Sequence, residues 1–241
     1  MFDRPHHQKV ASVLNTFDEE LLGVSECYFG GGTAIVLSLG EYRESVDIDF
    51  LCSSRDGFRL LRNVVTSQSL GALLKADVRH LREVRCERDK ISTFLSVESV
   101  PIKVEFIFEG NIDISGEMSQ DLGVPVLSRC DMYATKLLAN ADRGLDRSTL
   151  SRDAIDLAMM IRGWGPIPAL AWEKARDCYG DAVLRGFNQA LHLIQDRSYL
   201  LSCLHKMKMD PALAQLIPQI LNNEHSFQLR KQGGSMSSGP T

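Results

Sequence analysis

Apolar residues recur along residues 7–22 at Val10, Val13, Leu14, Phe17, Leu21 and Leu22, close to the period of an amphipathic helix. A short apolar run, Glu26-Cys27-Tyr28-Phe29, stops at Gly30-Gly31-Gly32, and an apolar stretch over 33–39 follows, which predicts strand, glycine turn and helix. Residues 46–52 alternate acids with apolar residues, as a strand does, and a second helix is predicted within 55–74. Extended segments are predicted over 76–84, 91–97 and 102–108, with the charged Glu87-Arg88-Asp89-Lys90 as the turn between the first two, and a loop over 116–125. Beyond it the period becomes helical, with helices predicted over 129–141, 150–162, 168–179, 181–195, 199–207 and 211–223.

This order predicts an α+β fold: a mixed sheet with helices over 1–125, then a helical subdomain over 126–231, with a cleft between the two. The tail 232–241 has the composition of a disordered end. Two compact halves suit 241 residues, of which 44% are hydrophobic and 24% charged. No apolar run approaches the roughly 20 residues a membrane span needs. Together with the absence of a secretory leader pattern at the N-terminus, this predicts a soluble, cytoplasmic protein without a membrane partner.

The six cysteines stand singly, without the close pairs of zinc or redox sites, and read as reduced thiols, mostly in the core. The formal net charge of -4 gives no broad attraction for nucleic acid, so a polyanion would need a local patch. The best candidate is 79–90, where basic residues outnumber acidic ones; solvated charges on a strand pair and its turn are the simpler reading.

In Val46-Asp47-Ile48-Asp49-Phe50-Leu51 the period of two puts Asp47 and Asp49 on one face and Ile48 and Phe50 on the other. Two carboxylates side by side repel unless a cation lies between them, and hard oxygen donors favour magnesium or manganese. The segment 102–108 repeats the logic, with Lys103 and Glu105 opposite the apolar face of Ile102, Val104, Phe106 and Phe108. If the two strands are neighbours, Glu105 is a third acid in the pattern of metal-assisted phosphoryl chemistry. Gly31, Gly32 and Thr33 sit where strand meets helix, and backbone N–H groups there can cradle a phosphate. On the predicted helices, Lys136 and Asn140 share a face, and so do Asp153 and Asp156. A salt bridge from Lys136 to Asp153 or Asp156 is the plain structural alternative to a catalytic role.

Gly31-Gly32-Thr33 followed by Tyr42-Arg43-Glu44-Ser45-Val46-Asp47-Ile48-Asp49-Phe50, with Glu105 as third acid, resembles the signature of the polymerase-β-type nucleotidyltransferase superfamily. More narrowly, the chain resembles the AbiEii/AbiGii toxin family, whose helical lysine is matched at Lys136 and whose Arg-Asp-x-x-Asp-Leu-like motif is matched at Ser151-Arg152-Asp153-Ala154-Ile155-Asp156-Leu157. One departure is the Gly-Gly-Thr turn where the superfamily often has Gly-Ser. The resemblance implies transfer of a nucleotide from an NTP to an acceptor hydroxyl. In that role Asp47, Asp49 and Glu105 hold Mg2+ or Mn2+, or Glu105 activates the acceptor. Gly31, Gly32 and Thr33 bind phosphates, Arg43 and Ser45 are secondary contacts, Lys136 touches phosphate, and Asp153 orients Lys136 or binds metal or nucleotide. It also implies an RNA acceptor, in particular a tRNA 3′ end, and an antitoxin partner protein. The alternatives are a small-molecule acceptor of the antibiotic type, a protein acceptor, or a nucleotide-binding module without turnover.

Overall fold

The computed structural model describes residues 2–234. The chain divides into two compact units between Met132 and Tyr133.

In the first unit the single helix expected over 7–22 is two helices, α1 (Pro5–Leu14) and α2 (Glu19–Val24). Thr16 turns its hydroxyl onto the Val13 carbonyl, and the Asp18 carboxylate caps α2 by accepting from the Leu21 N–H, so local polar side chains break the apolar period. Strand β1 (Cys27–Gly30) leads directly into α3 (Gly31–Ser38), and β2 (Ile48–Cys52) leads into α4 (Arg55–Val64), capped by Ser54. Strands β3 (Arg85–Cys86), β4 (Lys90–Val97), β5 (Val100–Phe108), β6 (Gly116–Ser119) and β7 (Val124–Leu127) complete a seven-stranded mixed sheet in the order β3-β4-β5-β2-β1-β7-β6.

Two predicted features are corrected. The segment 76–84 forms no continuous strand; it meets β4 through one bridge, His80 to Leu95, and the strand proper is the two-residue β3. Alternation alone did not separate a segment lying beside a sheet from one paired into it. The loop at 116–125 contains the β6–β7 hairpin, and β7 pairs parallel with β1. Its strands are four residues each, too short to show a period.

Half-buried and buried residues alternate along β2, β4 and β5. The buried face is closed by stacked Phe50 and Phe106, 5.0 Å apart, with Phe17 edge-on to both at 5.1 and 5.8 Å. Cys27 and Cys52 are register partners on β1 and β2, with sulfurs 2.6 Å apart and no solvent contact. Burial pushes the Cys27 thiol up, as expected of a reduced core cysteine.

The second unit contains most of α5 (Arg129–Arg143), then α6 (Arg152–Trp164), α7 (Ala169–Tyr179), α8 (Ala182–Ile194), α9 (Arg197–Lys206) and α10 (Leu213–Gly234). All six predicted helices appear. Helix α10 includes 232–234, the start of the stretch read as a disordered tail, and 235–241 lie outside the described residues. Among the described residues no helix is long and apolar enough to cross a membrane.

Candidate active site

The sheet register brings the acids together. Gly30 pairs with Asp49, Asp49 with Glu105, Glu105 with Ser92, and Ser92 with Arg85, so one row of residues on one face crosses β1, β2, β5, β4 and β3. The opposite face at these positions is the phenylalanine core, which fixes the height of the row. Asp47 immediately precedes β2 and is half-buried, as are Asp49 and Glu105. Carboxylates gathered on a half-solvated sheet face, with a rigid floor, create a concentrated negative field.

That field has a cation in it. Lys103 donates to Glu105 Oε2 at 2.7 Å, and Lys90 lies 3.5 Å from Glu105 Oε1. Burial acts against the charge of Lys103. The hydrogen bond to Glu105 and the fields of Glu105, Asp47 and Asp49 outweigh it and raise the ammonium above the usual lysine range. The place where three carboxylates act on one amine is therefore one that attracts positive charge. Among the described residues no group of three or more His, Cys, Asp or Glu is arranged to hold a metal ion, and Glu105 is engaged by its two lysines. Asp47 and Asp49 are the pair of hard-oxygen donors that suits magnesium or manganese, ions that commonly take one or two protein carboxylates and complete their shell with phosphate oxygens and water.

The glycine turn is shaped by what leans on it. Gly31 has φ +67°, and a Cβ there would lie 2.6 Å from Asp49 Oδ2. A Cβ at Gly32 would run into Arg43 Nη2. The absent side chains let the Asp49 carboxylate and the Arg43 guanidinium close onto the first turn of α3 from two sides. The Thr33 side chain turns inward. The residue is 1% exposed, and its hydroxyl donates to the Asp47 carbonyl at 2.5 Å and lies 2.8 Å from Ser45 Oγ. Its side chain thus fastens the loop that carries Ser45 and Asp47, and only its backbone is left for a phosphate.

The sequence reading missed the anchor of that loop. His7, fully buried on α1, accepts a hydrogen bond from the Ser45 N–H at Nε2, 3.1 Å, and meets Glu41 Oε1 through Nδ1 at 2.7 Å. Accepting at Nε2 requires the proton to sit on Nδ1, so the ring is neutral and donates to Glu41. Burial lowers the His7 pKa and prevails over the opposing pull of Glu41. Glu41 is itself held by the Asp3 and Arg4 N–H groups. The only sequence signal was a histidine among the apolar positions of a helix.

In the second unit, Lys136 on α5 and Asp153 and Asp156 on α6 meet as helical spacing allowed. The ammonium lies 2.8 Å from Asp153 Oδ1 and 2.9 Å from Asp156 Oδ2. Arg143, a residue the sequence reading did not select, binds Asp153 through Nε at 2.7 Å and Nη2 at 3.0 Å. Burial would raise the Asp153 carboxyl, but the charge of Lys136 and the hydrogen bonds and charge of Arg143 win and hold it well below the usual carboxylate range. Two cations and two anions form a neutral quartet, with Lys136, Asp153 and Asp156 buried and Arg143 part-exposed. Ahead of α6, Leu150 and Ser151 both adopt positive φ, and Ser151 Oγ bonds Tyr199 at 2.9 Å, which sets the start of the helix carrying both aspartates.

A family model described as "Nucleotidyl transferase AbiEii toxin, Type IV TA system" matches residues 19–229, which includes the glycine turn, Asp47, Asp49, Glu105 and the Lys136 quartet but not His7. The chain belongs to the AbiEii nucleotidyltransferase toxin family. It is thereby a nucleotidyltransferase of a toxin–antitoxin system, a membership that implies a nucleotide substrate and a cognate antitoxin. No curated protein matches it. Among solved structures, the AbiEii-type chain is similar in fold to JHP933 from Helicobacter pylori, at TM-score 0.54 and 15% identity over 99% of each chain. A second H. pylori protein, described as a candidate nucleotidyltransferase, aligns at TM-score 0.51 and 14% identity over 94% of this chain and 96% of that one.

Proposed function

We propose that the sheet face carrying Asp47, Asp49 and Glu105 transfers a nucleoside monophosphate from an NTP to the terminal hydroxyl of an RNA, in a reaction that depends on magnesium or manganese. The observation that carries this reading is the register row itself, which places Asp49 beside both Glu105 and the glycine turn. Asp47 and Asp49 would hold the ion, which would supply charge neutralisation at the phosphates. The backbone of Gly31, Gly32 and Thr33 at the start of α3 receives the β- and γ-phosphates, and Arg43 and Ser45, pressed against that turn, add a cation and a hydroxyl. Glu105 either takes the proton of the acceptor hydroxyl or serves as a third oxygen donor, and Lys103 balances its charge until substrate arrives. The acceptor oxygen forms a bond to the α-phosphorus, the α–β bridging bond breaks, and pyrophosphate leaves.

Lys136, whose ammonium is held between the buried carboxylates of Asp153 and Asp156, is read as fixing the geometry of the helical unit. The antitoxin is read as a protein that neutralises this activity, and a tRNA 3′ end is the favoured RNA.

The test is incubation of the purified chain with each α-labelled NTP, magnesium or manganese, and total cellular RNA, beside Asp49→Ala. Label on RNA with wild type alone is the expected result, and it names the nucleotide. Label appearing instead on protein or on an added aminoglycoside would replace RNA by that acceptor.

A further inference from the structure

Of the basic stretch at 79–90, only Arg85 and Lys90 have entered the site so far. Its Arg82 and Arg85 line, with Lys90 and Lys103, a groove of about 540 Å³ on the outer end of the sheet. Three carboxylates, Glu83, Glu87 and Glu105, share the groove, so four cations face three anions in a chain whose formal net charge is -4. Glu105 is the acid already engaged by Lys90 and Lys103. The groove floor includes Phe94, with the Arg82 guanidinium 4.7 Å above its ring. Thr93 donates to the Arg82 carbonyl at 2.9 Å and Leu81 N–H bonds the Phe94 carbonyl, so the Arg82 backbone is pinned beside β4.

The groove is continuous with the reactive row. Arg85, Ser92, Glu105 and Asp49 are successive register partners across β3, β4, β5 and β2, and Ser92 and Glu105 line the groove. At about 4.8 Å per strand the row from Arg85 to Asp49 spans roughly 14 Å, room for a few nucleotides. A cationic groove with an aromatic ring beneath its arginines suits bases and phosphodiesters better than the triphosphate, whose place is at the glycine turn.

We infer that this groove holds the last phosphodiester links of a single-stranded acceptor, which runs across β3–β5 and presents its terminal hydroxyl at Asp49. The inference rests on the RNA-transfer reading above and adds to it where the acceptor lies. Arg82 and Arg85 contact phosphates, the Phe94 and Arg82 surface stacks a base, and Glu83 and Glu87 limit affinity so that product can leave.

The experiment measures anisotropy of a 5′-fluorescein-labelled single-stranded oligoribonucleotide with wild type, with Arg82→Glu/Arg85→Glu and with Glu83→Gln/Glu87→Gln. All four side chains are exposed, and thermal melts check that the variants fold. The arginine reversal is expected to weaken binding by about tenfold or more and flatten its salt dependence, and the glutamine pair is expected to tighten binding. Unchanged binding in both variants, or no binding by wild type, would overturn the inference. Label transfer separates the two readings. Transfer to RNA undiminished by the arginine reversal removes the groove and keeps the reaction, whereas groove-dependent binding with no transfer by wild type removes the reaction and keeps the groove.

Discussion

The two units each gather acids around a lysine, and they do it in opposite ways. On the sheet, Asp47, Asp49 and Glu105 are half-buried, and the lysine that answers them, Lys103, is about one-third exposed in its side chain. In the helical unit, Asp153 and Asp156 are buried to within 1% and close on a buried Lys136. Half-buried carboxylates keep part of their hydration and can exchange partners, which a substrate site requires. Buried ones owe their charge to fixed partners, and losing one leaves another charge stranded in a poorly solvating interior. The first arrangement is suited to chemistry and the second to holding geometry.

Substitutions at matched aspartates sharpen this contrast most. Asp49→Ala is expected to lower transfer on the order of a thousandfold, the equivalent of several kcal/mol of lost charge stabilisation, while leaving the urea midpoint nearly unchanged. Asp153→Ala removes one of the two carboxylates that hold the buried Lys136 and is expected to destabilise the chain by about 3–5 kcal/mol, read as a lower midpoint in urea. A stable but inactive Asp153→Ala protein would move the quartet into the reactive class and end the distinction.

A smaller effect is expected at the turn. Gly31→Ala meets both a left-handed backbone, costing about 1–2 kcal/mol, and the Asp49 carboxylate at 2.6 Å. Transfer should fall further than stability alone explains, with the rise in KM for NTP reporting a displaced Asp49. Gly40, which also has positive φ but no neighbour within 4 Å of an added Cβ, is the control: Gly40→Ala should show the backbone cost with KM unchanged.

The smallest effect concerns pH. The folded His7 has a lowered pKa, so the unfolded chain takes up a proton more readily than the folded one. Its contribution is full above about pH 6.5 and is lost as pH falls below that value toward the folded pKa. Melting temperature should therefore drop between neutrality and pH 5 more steeply in wild type than in His7→Gln. Equal slopes would remove His7 as the acid-sensitive anchor of the Asp47 loop. Asp153 acts lower on the scale, stabilising above the ordinary aspartate range and failing only as pH falls below it.

Much of this organisation was legible in the residue order. The period-two placement of Asp49 and Glu105 and the i, i+3 placement of Asp153 and Asp156 are local geometry, set by backbone repeat alone. The switch from extended to helical periods correctly announced a sheet followed by helices, and the motif order pointed to the AbiEii family. The β6–β7 hairpin, the break between α1 and α2 and the weak pairing of 76–84 were not legible, because short strands carry no period and side-chain caps compete with apolar patterns over one turn.

What the sequence by itself determined is which side chains share a face and where the longer strands and helices lie, since both follow from repeats along the chain. Only the tertiary structure decided that β5 lies beside β2, so that Asp49 and Glu105 become neighbours, and that Thr33 faces inward to fasten Asp47. It alone revealed why Gly31 and Gly32 must lack side chains, which is the close approach of Asp49 and Arg43, and how His7 reaches Ser45 across 38 residues. Those facts depend on contacts between segments distant in sequence, and hydrophobic burial that drives such segments together is non-directional, so it leaves no local mark of which partner each will meet.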